Sequence, residues 1–379
     1  MAWGSVNVDD QRMRFVMWAS RPGTTMRQAC EEFQISRPTG YEWLRRYKAG
    51  GIAGVVEKSR RPLHSPTQTA VEIEQRVVEL RQQRPDWGAR KLQVLLARER
   101  VKLPAGTIHR ILLRHELVRE QDRHRPAVQR FEREAPNQLW QMDFKGPVGW
   151  NAPMGPLSVL DDHSRYAIAL EQTGSTRAEP VRERLEEAFG RCGVPEEMLM
   201  DHGTPWWNMQ AMTGWTWLTV WLMKQGIQLH FSGYRHPQTQ GKVERFHGSL
   251  EAARRRRGWS MEQPQQPWLD AFRQEYNHVR PHEALHMRTP ASVWNKSARR
   301  YQVKPPAWEY ETGAEVRQVA AEGQLHVEGQ RWEISRALAG EWVRLIRIEQ
   351  RILVYYCRSL VRELDQITQR STAVDRWVI

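Results

Sequence analysis

"LWQMDFKG" (139–146) is where the character of the chain changes. Leu139, Trp140 and Phe144 are apolar and Asp143 stands near the middle, so the stretch reads as a short strand carrying one acid. Further on, "PLSVLDDHSRYAIALEQ" (156–172) reads as a hairpin that turns at Asp161–Arg165. Residues 177–192 set Leu and Phe among charges at helical spacing, which predicts a crossover helix ending before Gly193. "MLMDHG" (198–203) is a second short apolar strand closed by Asp201, and "IQLHFS" (227–232) a third. Strands that alternate with helices predict an α/β core, placed over 139–298.

"HPQTQGKVERFHGSL" (236–250) then opens a helix with a single acid, Glu244, between Lys242 and Arg245. Val243, Phe246, Leu250 and Ala253 form its apolar stripe, and Glu244 lies off it with Gly248 and Glu251. A carboxylate in a first helical turn is favoured by the helix dipole. Read blandly, Glu244 belongs to a solvated face of mixed charge; read for chemistry, it is a metal ligand working beside a polyanion. Gly248 inside a helix costs up to about 1 kcal/mol relative to Ala, which close approach of a DNA backbone would explain.

Upstream of residue 139 the chain is strongly basic. Over Met1–Gln138 there are 26 Lys and Arg against 16 Asp and Glu, which places +10 of the +13 net charge in the first third. Such an excess suits a polyanionic partner. "TTMRQACEEFQISRPTGYEWLRRYKAG" (24–50) predicts two helices around a tight turn, with Ala29, Phe33, Ile35, Tyr41, Leu44 and Tyr47 on the apolar side. Ser36 is a suitable N-cap, and Pro38 is tolerated in the first turn. This is the helix-turn-helix pattern, assigned to 1–62, with Arg37, Thr39, Arg45 and Arg46 facing DNA. A second such unit is assigned to 63–118, after the spacer "KSRRPLHSPTQT" (58–69), with Arg90, Lys91, His109 and Arg110 outward. The alternative for both is a helical hairpin with a solvated basic face. Residues 119–138 lack an apolar period and read as a basic linker suited to tracking phosphates. From 299 to 379 short alternating stretches ("GQLHVEG", "QRWEIS", "EWVRLIRI", "RILVYYC") predict a small all-β barrel.

Several classes are disfavoured. No apolar run approaches the ~20 residues of a membrane-spanning helix. "MAWGSVNVDDQRMRF" has no apolar h-region, so it does not read as a signal peptide. Cys30, Cys192 and Cys357 lie far apart, against a disulfide scaffold or zinc knuckle and consistent with a reducing cytoplasm.

Asp143, Asp201 and Glu244 remain as three acids on separate predicted elements. Phosphodiester chemistry uses such sets, because two Mg²⁺ ions about 4 Å apart can activate an attacking oxygen and stabilise a leaving one. Hard oxygen ligands suit Mg²⁺, and carboxylates gathered without a cation repel one another.

"LWQMDFKG", "LDDHSRYAIAL", "LMDHGTPW", "HPQTQGKVERFHGSL" and "YNHVRPHEAL" (276–285), in this order, resemble the DDE transposases of bacterial insertion sequences with a retroviral-integrase-type core. The resemblance spans roughly 139–295, and the helix-turn-helix front end is similar to that group's. It implies a ribonuclease H-like core in which Asp143, Asp201 and Glu244 are both the catalytic and the metal-binding triad. It also implies two Mg²⁺ ions, with Mn²⁺ substituting, and no covalent enzyme–DNA intermediate. The enzyme would be a polynucleotidyl transferase that hydrolyses a phosphodiester at each element end and transfers the freed 3′-OH to target DNA. Its partners would be double-stranded DNA, as terminal inverted repeats and target, and copies of itself as a dimer or tetramer. The setting would be cytoplasmic and nucleoid-associated. Lys242, Arg245 and Arg254 would hold phosphates near the site. Two departures stand out: His202 follows the second Asp where asparagine is usual, and the interval from Asp201 to Glu244 is long, holding "PWWNMQAMTGWTWLTVWLM" (205–223) as a flap or helix. A DNA-binding regulator or domesticated protein with an inactive core is the alternative.

Four other groups have double readings. Asp161 and Asp162 are either turn caps with Arg165 or extra ligands. The tryptophans from Trp206 to Trp221 either pack a core or stack on a frayed base. His236 and His247 support the site or merely its scaffold. Arg280 and His282 either touch phosphate or pin the core.

Overall fold

The computed structural model describes residues 8–56, 68–118, 132–146, 155–208, 214–232, 241–258 and 265–374. Most of the 58–69 spacer, linker residues 119–131 and the stretch holding His236 lie outside the described residues. The chain divides into two compact units, Met1–Thr69 and Ala70–Ile379.

Among the described residues, the first unit is three helices: α1 (Val8–Ala19), α2 (Met26–Glu32) and α3 (Arg37–Val55). Thr25 caps α2 in a reciprocal box with Gln28, and Ser36 caps α3 by accepting from the Thr39 amide. Phe15, Val16, Ala29, Cys30 and Val55 form the core. Gly40 is what lets α3 approach so closely: a Cβ there would lie 2.6 Å from Cys30 Sγ and 2.9 Å from Phe15. Tyr41 departs from the predicted stripe and is 59% exposed. Trp43 turns inward instead, with Arg12 and Arg46 against its ring at 4.2 and 4.4 Å.

The second unit opens with α4 (Val71–Gln83), α5 (Ala89–Arg98) and α6 (Ala105–Arg114), packed around Val77, Trp87, Leu92, Leu96, Ile108 and Ile111. Next comes a mixed sheet of β1 (Leu139–Phe144), β2 (Leu157–Asp161), β3 (Ala167–Glu171), β4 (Glu197–Met200) and, beyond a two-residue ladder of β5 (Trp207–Asn208) and β6 (Gly214–Trp215), β7 (Gln228–Phe231). The strand order is β3-β2-β1-β4-β7. The β1–β2 and β2–β3 pairs are antiparallel, while β1–β4 and β4–β7 are parallel. That is a ribonuclease H-like arrangement. Helices α7 (Ala178–Cys192) and α8 (Trp217–Lys224) pack in one core with β1, β4 and β7. Leu160, Ala167 and Leu170 of the hairpin pack instead with α9 (Gly241–Arg256) and α10 (Gln265–Gln274).

The three-helix element is fastened to the core through buried charge. Asp86, in the α4–α5 turn with its side chain 1% exposed, accepts from Arg257 at 2.9 Å and from Arg280 at 3.0 Å. Arg257 also reaches Glu275 at 2.8 Å, and Arg256 donates to the Pro85 carbonyl at 3.2 Å.

The carboxy-terminal strands are β8 (Glu315–Gln318), β9 (Gln324–Val327), β10 (Gln330–Glu333), β11 (Trp342–Ile348), β12 (Arg351–Tyr356), β13 (Ser359–Asp365) and β14 (Arg370–Ala373). The barrel predicted for 299–379 is corrected here. Five strands form an open antiparallel sheet, β14-β13-β12-β11-β8, and β9–β10 stand apart as a hairpin. Closure is unnecessary because the inner face has another cover. Val343, Leu345, Val354 and Leu364 share one apolar core with the hairpin's Leu325 and Trp332 and with α8, and Trp215 Nε1 donates to the Val361 carbonyl at 3.0 Å.

Candidate active site

The three acids picked out in the sequence come from neighbouring elements. Asp143 is the penultimate residue of β1, Asp201 directly follows the adjacent parallel strand β4, and Glu244 lies in the first turn of α9. The charges of the other two bear on Asp143. Burial first, then the negative charge of Asp201, push the Asp143 carboxyl up to about 7; the Phe144 amide pulls it down, and the Glu244 charge adds a smaller push. Asp143 and Asp201 are half-buried, whereas Glu244 is exposed.

Asp201 and Asp143 have partners behind them. Asp201 Oδ1 accepts from the Gly203 amide at 3.0 Å and from Trp206 Nε1 at 2.6 Å. His247, one turn after Glu244, has Nε2 2.9 Å from Ser158 Oγ and Nδ1 3.9 Å from Asp143 Oδ2. Burial, with the nearby Lys145 charge, pushes His247 down to about 4, so the ring is neutral at physiological pH. Lys145 in turn lies 3.6 Å from Glu251, which Arg254 holds at 2.7 Å.

The donor chemistry fits a divalent cation. All three acids offer hard oxygens, and a nearby cation would offset the burial and the like charges that push the Asp143 carboxyl up. Among the described residues, no group of three or more His, Cys, Asp and Glu is gathered tightly enough to enclose an ion as it stands.

The residues expected to meet DNA differ in their present engagements. Arg37 and Thr39 are exposed at the start of α3; Arg45 pairs with Glu42, and Arg46 packs on Trp43 and donates to the Val56 carbonyl at 3.1 Å. In the second helical element Arg90 lies 3.5 Å from Glu283, His109 is exposed, and Arg110 donates to Thr107 Oγ1 at 3.2 Å. Burial, helped by the Arg280 charge, pushes Lys91 down to about 8. Burial also pushes Lys242 down to about 8, although its Nζ sits 2.6 Å from the fully buried Asp162. Arg245 is exposed on α9.

Asp161 and Asp162 serve the scaffold. Asp161 accepts from the Ser164 and Asn137 amides, each at 2.7 Å, and Asp162 from the Arg133 amide and Gln141 Nε2. Trp206, Trp207, Trp215 and Trp221 are buried, while Trp217 is 40% exposed. Arg280 binds Asp86 and stacks 5.8 Å from the Trp87 ring, and burial pushes His282 down to about 3. The Trp206–Asp201 bond was not anticipated, nor was the Asp86 cluster. An acid beside a tryptophan in "RPDWG" and the arginine run ending at Arg257 were its sequence signals.

The sequence matches the helix-turn-helix domain family over 11–62 and the homeodomain-like domain family over 39–112. It matches the integrase core domain family over 133–237 and again over 225–290. The uncharacterized 31.7 kDa protein of insertion element IS407 from Burkholderia multivorans is 27% identical over 224 residues, which cover 57% of this chain and 78% of that protein. The uncharacterized 39.2 kDa protein of insertion element IS476 from Xanthomonas euvesicatoria is 27% identical over 277 residues, or 71% of this chain and 78% of that protein. Among solved structures, the HTLV-2 integrase catalytic core domain in complex with magnesium aligns with a TM-score of 0.33 at 13% identity, over 42% of this chain and 97% of its own. The simian T-cell lymphotropic virus intasome in complex with a PP2A regulatory subunit aligns with a TM-score of 0.38 at 14% identity, over 73% of this chain and 91% of its own. With helix-turn-helix domains ahead of an integrase core, and insertion-element proteins for relatives, the chain belongs to the insertion-sequence transposases with an integrase-type core.

Proposed function

We propose that this transposase cuts DNA at the ends of its own element and transfers the freed 3′-OH to target DNA, with Asp143, Asp201 and Glu244 as a triad of ligands for two Mg²⁺ ions. The observation that supports this reading is the convergence of three acids from adjacent elements, Asp143 at the end of β1, Asp201 just after the parallel neighbour β4 and Glu244 in the first turn of α9. Bound there, Mg²⁺ or Mn²⁺ would activate the attacking oxygen and stabilise the leaving one. Asp143 and Asp201 hold their carboxylates on the rigid ends of β1 and β4, while Glu244 closes the set from the exposed side of α9. His247, neutral and tied to Ser158, fixes the helix behind Asp143 and carries no charge into the site.

Arg37, Thr39, Arg45 and Arg46 read one part of the terminal inverted repeat, and Arg90, His109 and Arg110 a second part. Arg245 contacts phosphate directly. Lys242 and Arg254 shape the basic face through the acids they hold, and Lys91 adds its charge to the second reading surface. Paired ends require a homo-oligomer, a dimer or tetramer, acting on the nucleoid. The test uses the DNA flanking the gene, with Mg²⁺ or Mn²⁺, and scores nicked ends and joined products for wild type and Glu244→Gln, with binding measured in parallel. Metal-dependent ends and joins, abolished in the variant while binding persists, are expected. Binding without cleavage in either protein would instead favour a DNA-binding regulator.

A further inference from the structure

Asp201 is gripped on one oxygen. The Gly203 amide and the Trp206 indole N–H both donate to Oδ1, at 3.0 and 2.6 Å. Trp206 is 1% exposed and lies against Phe144, the residue after Asp143, with ring centroids 5.5 Å apart and planes 19° from parallel. The indole therefore touches Asp201 through its N–H and backs onto the strand that carries Asp143 through its ring face. Trp206 also belongs to the apolar core shared by β1, β4 and α8, which fixes the position of its N–H.

Gly203 completes the grip from the backbone side. A Cβ at this position would stand 2.9 Å from Asp201 Oδ1, 3.0 Å from Oδ2 and 3.2 Å from the carboxyl carbon. The carboxylate thus occupies the space that any side chain at 203 would need.

Resting on the proposed metal triad, we infer that Trp206 is a positioning residue: with the Gly203 amide it locks Asp201 through Oδ1 and so presents Oδ2 as the oxygen offered to a divalent cation. Hydrogen bonds of this kind orient a metal-binding carboxylate, and their loss typically lowers metal affinity about 10- to 100-fold. A phenylalanine at 206 would keep an aromatic ring beside Phe144, fill less of the core and lose the donor. The positioning role rests on that one N–H group.

The test titrates Mn²⁺ into the full chain and follows free Mn²⁺ by electron paramagnetic resonance, comparing wild type with Trp206→Phe. Mn²⁺ binding is expected to weaken about 10-fold in the variant, measured well below its melting temperature so that any loss of core packing is read separately. In an Asp201→Asn background, Trp206→Phe should change Mn²⁺ binding no further, an outcome a purely structural indole would not give. Gly203→Ala, which reaches the same carboxylate without touching the indole, should weaken Mn²⁺ binding comparably and serves if Trp206→Phe does not fold. Wild-type affinity retained in Trp206→Phe, or in Gly203→Ala should the first variant not fold, overturns this inference alone. A wild-type chain that takes up no Mn²⁺ overturns the triad reading and this inference with it.

Discussion

The two ends of α9 carry charged clusters of opposite design. At the head, Glu244 joins Asp143 and Asp201, and the charges of these two neighbours reinforce burial in raising the Asp143 carboxyl. At the tail, Arg257 meets Asp86 and Glu275, and Asp86 also takes Arg280, so opposite charges are matched where they leave water. A buried pair of this kind is weak evidence of net stabilisation, but breaking one is expensive because a charge is stranded. The tail is thus complete within the chain and fastens α9 to the helical element before it. The head is electrostatically incomplete, as suits a place where a cation and a polyanion meet.

Breaking the head should have the largest effect. Asp143→Asn should lower Mg²⁺-dependent cleavage of element ends by at least about 100-fold while leaving end binding intact, since the loss falls on reacting groups and not on the reading heads. Rates on pre-nicked and intact ends would measure it, and a loss under about 5-fold would make the head an ordinary surface cluster.

Breaking the tail should be felt in stability. Asp86→Ala leaves Arg280 without its carboxylate and Arg257 with Glu275 alone, and should destabilise the chain by about 3 kcal/mol, read from urea unfolding. A shift below about 1 kcal/mol would mean that the tail pairs do not fasten the two elements.

A pH series sharpens the contrast. His282, near the tail cluster, is held down to about 3, so the unfolded chain takes up its proton first. Its contribution is complete above the ordinary imidazole value near 6.5, and the folded state loses stability as pH falls from there towards 3, by about 2 kcal/mol at pH 5. Asp143 acts with the opposite sign. Raised to about 7, it binds its proton in the folded chain first and adds stability as pH falls through that value. Urea midpoints at pH 7.5 and 5 for wild type and His282→Gln should show a shallower acid loss in the variant; identical slopes would refute the assignment.

The smallest structural effect belongs to the first helix-turn-helix unit. Arg37→Ala and Arg45→Ala should each change stability by less than about 0.5 kcal/mol, because both side chains are exposed. Each should nevertheless weaken end binding and reduce its salt slope by about one. Unchanged binding across a salt titration would remove these two from the reading surface.

Much of the core could be read from spacing because its elements are short and strongly patterned. The stripe Val243, Phe246, Leu250 and Ala253 is the buried face of α9, and the 156–172 hairpin turns where Asp161 caps it. What escaped was long-range pairing. Asp86 meets arginines more than 170 positions away, and no local pattern in "RPDWG" names them. Helix α1 was hidden because its apolar residues crowd into Phe15–Ala19 instead of recurring at helical spacing, and they find their partners across the bundle. The predicted barrel is an open sheet for a similar reason, since its inner face is covered by a hairpin and a helix that alternation cannot reveal. At the site, Trp206 read as core packing or as a stack for a frayed base, and only the fold brings its N–H to Asp201.

The most direct test of the central claim is an anomalous-scattering map from crystals of the full chain soaked in Mn²⁺. A peak bounded by Asp143, Asp201 and Glu244, and absent from Asp143→Asn crystals, is the result expected of a triad that gathers cations for DNA cleavage. Mn²⁺ bound elsewhere, with the three carboxylates unliganded and unchanged in position, would contradict it.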